Sequence, residues 1–231
     1  MIKVILWDID GTLLDFGAAE RYAVRKCFAS FGFGECTDEM LARYSAINKK
    51  YWEMLERGEV TKEQVFRGRY EEFLRGEHLP MDRIGELNKE YQVYLSEKIF
   101  FQDYGYEIIR DLKGKVRQYV VTNGSRFTQT RKMRLAGYDK LFDGVFISDE
   151  VGAEKPNITF FDSVWKQIGT YEKAEVMIVG DSLTSDMQGG NNAGIRCCWY
   201  NPQHAVNEKG LRIDYEIQNL RQVKEICHIK E

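Results

Sequence analysis

Residues 4–13 read Val-Ile-Leu-Trp-Asp-Ile-Asp-Gly-Thr-Leu. Four apolar, strand-forming residues stop at two aspartates separated by a single isoleucine, and a glycine follows at once. Such a run reads as a short buried strand feeding a tight acidic loop, with Gly11 supplying the backbone freedom for the turn. No second strand pattern follows directly. Residues 18 to about 99 carry only helical spacings, such as Ile84, Leu87, Tyr91 and Leu95 at intervals of three and four. Within them Thr61-x-x-Gln64 has the form of a capping box, so a helix starts there.

From about residue 100 the texture changes. A helix closing at Leu112 and Gly114 precedes Val116–Thr122. A helix up to Gly137 precedes Val145–Ile147, and a helix from Asn157 precedes Val176–Val179. Short apolar strands alternating with longer helices imply crossover units and a parallel sheet covered on both faces. The fold expected is therefore α/β: a doubly wound, Rossmann-like parallel sheet built from residues 1–14 and 100–231. Residues 15–99 form an all-helical cap of about four helices, inserted after strand one. A length of 231 residues suits one main body with an insertion.

Composition narrows the classes of function. With 43% hydrophobic and 30% charged residues the chain can bury a full core. A net charge of −3 leaves no basic footprint for a nucleic acid polymer. Five cysteines with no C-x-x-C pair argue against a disulfide framework and for a reducing, cytoplasmic setting. The apolar run before Asp8 is too short for a signal peptide, and no apolar stretch reaches the roughly 18 residues of a membrane span. Cys197 and Cys198 lie in the apolar run Ile195–Tyr200, where small buried thiols pack well. The partner expected is a small molecule, with no nucleic acid polymer and no membrane; the oligomeric state is not legible.

In open α/β sheets ligands bind beyond the carboxyl ends of the strands. Those positions hold Asp8 and Asp10, then Thr122-Asn123-Gly124, then Gly180-Asp181-Ser182 and Asp186, with Lys155-Pro156 on a further loop. Carboxylates crowded into one crevice repel unless a cation holds them together. Oxygen ligands without histidine or cysteine suit Mg²⁺. The Thr122 hydroxyl, the backbone N–H groups of Asn123 and Gly124, and the Lys155 ammonium are donors for a dianionic tetrahedral group. A phosphate monoester fits that set. Asp8 could attack phosphorus to give an aspartyl-phosphate, while Asp10 protonates the leaving oxygen and later deprotonates water.

Together Asp8-x-Asp10-Gly11-Thr12-Leu13, Thr122-Asn123-Gly124, Lys155-Pro156 and Gly180-Asp181-Ser182-x-x-x-Asp186 resemble the four motifs of the haloacid dehalogenase superfamily. The second aspartate, Asp10, resembles its phosphatases rather than its dehalogenases. By this resemblance Asp8 and Asp181 bind Mg²⁺ by side chain and Asp10 by its backbone carbonyl, Asp186 supports that shell, and residues 15–99 correspond to the family's cap. Tyr44-Ser45-Ala46-Ile47-Asn48-Lys49-x-x-Trp52, Glu56-x-Gly58-x-x-Thr61 and the stretch Ser182–Gly194 are similar to a bacterial subgroup of pyrimidine-preferring 5′-nucleotidases. The resemblance thus implies a hydrolase acting on phosphoric monoesters, with a nucleoside 5′-monophosphate as substrate. A phosphoglycolate or sugar-phosphate phosphatase is the alternative. A phospho-accepting signalling domain is a remoter one, since it needs neither the helical insertion nor Asp10.

Some of these residues carry two readings. Leu41, Tyr44, Asn48, Trp52 and Leu55 share one helical face. Asn48 and Trp52 then either contact a nucleobase or belong to the core, Asn48 bonded to a neighbouring backbone. Asp186 either supports the metal shell or caps the helix that begins near Met187. Arg126, Arg131, Lys132 and Arg134 read as a solvated helix face.

Overall fold

A computed structural model describes residues 1–229. The chain divides into two compact units: Met1–Asp15 with the chain from Phe100 onward, and Phe16–Ile99.

In the first unit six parallel strands form one sheet in the order β3-β2-β1-β4-β5-β6. In chain order β1 is Val4–Trp7, β2 Arg117–Thr122, β3 Gly144–Ile147, β4 Val176–Gly180, β5 Arg196–Tyr200 and β6 Tyr215–Ile217. Strands β1 and β4 are buried along their whole length, because crossover helices cover both faces of a parallel sheet. The same cover explains how the vicinal Cys197 and Cys198, which point to opposite faces of β5, are both buried with free thiols. Strands β5 and β6 extend the sheet beyond what the sequence reading placed; β6 is a three-residue edge strand.

The chain leaves β1 to build β2 and β3 on one side and returns to β4 on the other. The order of winding therefore reverses between β1 and β4, and the crevice of a doubly wound sheet opens where it reverses. Register fixes what stands there. Trp7 is level with Val120 of β2 and Val179 of β4, so the next residues, Asp8, Val121 and Gly180, come out together at one edge.

The second unit contains four helices and no strand: α1 (Phe16–Phe31), α2 (Asp38–Glu56), α3 (Lys62–Gly76) and α4 (Ile84–Leu95). The Thr61–Gln64 capping box forms and starts α3. Leu41, Tyr44, Asn48 and Leu55 of α2 are buried and Trp52 is half-buried. The remaining helices belong to the first unit: α5 (Gly105–Leu112), α6 (Arg126–Leu135), α7 (Ser148–Val151), α8 (Ile158–Ile168), α9 (Gln188–Ala193) and α10 (Gln222–Ile226). Among the described residues no helix is long and apolar enough to cross a membrane.

Candidate active site

Beyond β1 the backbone turns within six residues. The Leu13 and Leu14 amides both return to the Ile9 carbonyl, and the Gly11 amide donates to the Leu14 carbonyl. Gly11 takes φ +101°, and a Cβ there would stand 2.5 Å from Asp181 Oδ2. Glycine is thus required twice, for the left-handed backbone and for the close approach of Asp181. Thr12, wholly buried, donates its hydroxyl to Asp181 Oδ1 at 3.0 Å. This loop and the end of β4 are thereby tied together across the switch point.

Lys155 lies at the bottom of the crevice. Its ammonium donates to Asp8 Oδ1 at 2.8 Å, Asp186 Oδ1 at 2.6 Å and the Val121 carbonyl at 2.8 Å. An ammonium has three donors, so all of them are used inside the protein. Asn123 positions the lysine: its side-chain amide donates to the Lys155 carbonyl at 2.9 Å and accepts from the Lys155 amide at 2.8 Å. The Thr122 hydroxyl, buried at the end of β2, accepts from the Gly124 amide at 3.1 Å. These contacts bring the Thr122-Asn123-Gly124 loop, Lys155 and the aspartates into one cluster.

Carboxylate oxygens of Asp8, Asp181 and Asp186 lie within 4.8 Å of one another. Burial pushes the Asp8 carboxyl well above its ordinary value. The nearby Lys155 ammonium opposes that rise, while Asp186 and Asp181 add to it. Burial alone would lower Lys155, but Asp186 and Asp8 hold its ammonium above the ordinary value. The Asp181 side chain opens to solvent, yet the protein packed around the crevice floor and the Asp186 charge push it up to about 7. Two carboxyls, Asp8 and Asp181, raised by burial and crowded beside a third carboxylate are the donor chemistry a hard divalent cation relieves. The residues present therefore fit Mg²⁺, which Asp8, Asp181 and Asp186 together could hold.

Asp186 combines two contacts: one oxygen meets Lys155 and the other accepts from the Ser182 amide at 3.1 Å. It does not cap the following helix. Ser182 does, accepting from the Ser185 amide at 3.1 Å at the head of a wide π-type turn, Leu183–Met187, that leads into α9. Gly180 leaves room for Asp186, since a Cβ at 180 would stand 2.2 Å from Asp186 Oδ2.

Asp10 departs from the sequence reading in its partners. Its Oδ2 accepts from Gln129 Nε2 at 2.6 Å and its Oδ1 from the Lys132 ammonium at 2.5 Å. Lys132 is 2% exposed, so it is no part of a solvated face; Arg126 and Arg134 are exposed and Arg131 is half-buried. The correction has a simple cause: Thr128, Gln129, Lys132, Met133 and Ala136 form the buried face of α6 and its end, and Lys132 can be buried there because Asp10 neutralises it. A charged residue between Thr128 and Ala136 on a helical projection was the available signal. Thr12 stood within the acidic-loop motif but was given no role of its own.

The two residues named in the helical insertion stand in the second unit. Both ends of the Asn48 amide are committed there: Nδ2 donates to Glu20 Oε1 at 2.7 Å, and Oδ1 accepts from Arg69 Nη1 at 2.8 Å. Asn48 thus takes the core reading, with side-chain partners in place of the backbone one foreseen. Arg69 also donates to Asn88 and lies over the Tyr70 and Tyr91 rings. Trp52 packs edge-on against Phe66.

The doubly wound sheet thus carries its carboxylates and a buried lysine together at the switch point. The haloacid dehalogenase-like hydrolase family matches residues 5–200, and the chain belongs to that family. YfnB of Bacillus subtilis is 32% identical over 228 residues, covering 99% of this chain and 96% of that protein. The pyrimidine 5′-nucleotidase PynA of Streptococcus pneumoniae is 32% identical over 217 residues, 93% of this chain and 90% of its own length. The pyrimidine 5′-nucleotidase YjjG of Escherichia coli is 28% identical over 222 residues, 96% of each chain. A crystal structure of YfnB bound to magnesium superposes with a TM-score of 0.93, at 32% identity and covering 99% of both chains. The L-2-haloacid dehalogenase of Xanthobacter autotrophicus shares the fold, with a TM-score of 0.78 at 18% identity over 99% of both chains.

Proposed function

We propose that the protein is a Mg²⁺-dependent phosphomonoesterase that works through an aspartyl-phosphate on Asp8 and takes nucleoside 5′-monophosphates, pyrimidine ones by preference. The observation that carries the chemistry is the placement of Asp8. It sits at the switch point with one oxygen against Lys155, two other carboxylates within 4.8 Å, and Asp10 two residues on. Mg²⁺ bound by Asp8 and Asp181, with the Asp10 carbonyl and Asp186 in support, would supply neutralising charge for an incoming dianion.

In the first step an Asp8 carboxylate oxygen bonds to phosphorus as the ester P–O bond breaks, and the leaving oxygen takes a proton from Asp10. In the second, Asp10 takes a proton from water as the water oxygen bonds to phosphorus and the Asp8–phosphorus bond breaks. Free phosphate leaves and Asp8 is again a carboxylate. Lys155 counters the Asp8 and Asp186 charges throughout, and the Thr122 hydroxyl and the Asn123 amide are the donors assigned to phosphate, the Gly124 amide being committed to the Thr122 hydroxyl. The preference for nucleotides rests on the pyrimidine 5′-nucleotidases that match over nearly the whole chain.

The test is phosphate release with Mg²⁺ across pyrimidine and purine monophosphates, phosphoglycolate and sugar phosphates, with Asp8→Asn as the blank. Turnover led by dUMP, UMP or dTMP and absent from the blank is the expected result. Turnover confined to phosphoglycolate or sugar phosphates would keep Asp8 and remove the nucleotide assignment. No Asp8-dependent turnover would remove the reading altogether.

A further inference from the structure

The Asp10 carboxylate is clamped from α6, one helical turn carrying both partners. Gln129 Nε2 reaches Oδ2 and the Lys132 ammonium reaches Oδ1. Both side chains are nearly inaccessible, at 1% and 2%, whereas the Asp10 side chain is 21% exposed. The clamp therefore comes from the protein side and leaves part of the carboxylate accessible.

Two details are hard to account for if Gln129 is only packing. Its Oε1 is buried with no hydrogen-bond partner, an arrangement that costs stability and that an apolar side chain of the same shape would avoid. The approach of Gln129 to Asp10 also depends on a glycine: a Cβ at Gly124 would stand 2.1 Å from Gln129 Nε2 and 2.8 Å from its Cδ. Gly124 holds the lane open through which the amide passes.

We infer that Gln129 and Lys132 are positioning residues that fix the Asp10 carboxyl for proton transfer to the leaving oxygen, and that Gly124 is a glycine so that Gln129 can do so. The inference rests on the proposed roles of Asp8 and Asp10. A carboxyl that rotates freely spends much of its time out of line with the ester oxygen, so a clamp raises the share of productive geometry. The benefit is confined to leaving groups that need a proton. An alkoxide such as the 5′-oxygen of a nucleoside does; p-nitrophenolate does not.

The experiment compares wild type with Gln129→Met and Lys132→Met on a nucleoside 5′-monophosphate and on p-nitrophenyl phosphate, with Mg²⁺, reading the rate of the first turnover. For each variant the loss on the nucleotide is expected to exceed the loss on the aryl ester by at least about tenfold, with KM for the nucleotide within about threefold of wild type. Gln129→Met, which also deletes the orphaned acceptor, should melt no lower than wild type, so it carries the test even if Lys132→Met folds poorly. Matched losses on the two esters, or no loss on either, would overturn the inference. A wild type that hydrolyses neither ester would remove the phosphatase reading, and the inference with it, before any variant is made.

Discussion

Lys155 uses every donor of its ammonium inside the protein, and two of its three acceptors are carboxylates. Removing one partner of a buried charge cluster leaves the others unpaired, which costs about 3–5 kcal/mol. Lys155→Met is therefore expected to lose that much stability at pH 8 without Mg²⁺, measured by urea unfolding, and to lose turnover. A cost under about 1 kcal/mol would mean that Lys155 is not what holds Asp8 and Asp186 together. At this scale the acidic loop, Lys155 and Asp181 were legible, because a charge placed at a strand end has few structural reasons to be there. Lys132 was missed, because its charge matched its neighbours Arg131 and Arg134, and its place on the helical projection between Thr128 and Ala136 gains its meaning only from the tertiary approach of Asp10. Asn48 shows the reverse case: its place on an apolar stripe was legible, but its partners, Glu20 and Arg69, come from other helices and are set by packing alone.

Among the elements, β1, β2, β3 and β4 stood out because each is an apolar run cut off by polar residues. β5 and β6 did not. The run Ile195–Tyr200 lacks a chemical residue at its end, and β6 has three residues, too few for periodicity to show. What α9 requires is legible only in three dimensions. It packs on the sheet through glycine: a Cβ at Gly190 would stand 2.6 Å from Cys197 Sγ and 2.7 Å from Ile178 Cγ2. Gly190→Ala should therefore force α9 off β4 and β5 and destabilise by about 1–3 kcal/mol. Gly85, exposed on α4, is different: a Cβ there would meet nothing within 4 Å. An alanine at that position only restricts the unfolded chain, so Gly85→Ala should stabilise by about 0.4–1 kcal/mol. Urea midpoints of the two variants moving in the same direction would contradict this account of the α9 interface.

For the whole molecule, the carboxylate cluster links folding to both protons and metal. Burial and Asp186 raise Asp181 from an ordinary 3.8 to about 7, and Asp8 is raised as well. Between pH 4 and 7, then, the metal-free folded protein holds protons that the unfolded chain has released. Stability rises wherever the unfolded state binds more protons; here the folded state binds more, so these groups make stability fall as pH climbs through that window. Above about 7 Asp181 has lost its proton in the folded protein as well, and the strain of its crowded charge is fully present. Under the proposed function Mg²⁺ would relieve that strain but would have to displace protons to bind, and so would compete with them at low pH. At a hundred times its Kd a ligand adds about 2.7 kcal/mol, roughly 5–11 °C in Tm for a chain of this size. The expected outcome is a Mg²⁺-induced rise in Tm of that order at pH 8, shrinking to less than half at pH 5.5 at the same Mg²⁺ concentration. Asp181→Asn should abolish most of the rise at pH 8, because it removes a ligand together with one of the groups that make metal and proton compete. Equal shifts at the two pH values would show that the raised carboxylates are not the metal's ligands, and would break the link between the charge cluster and the cofactor.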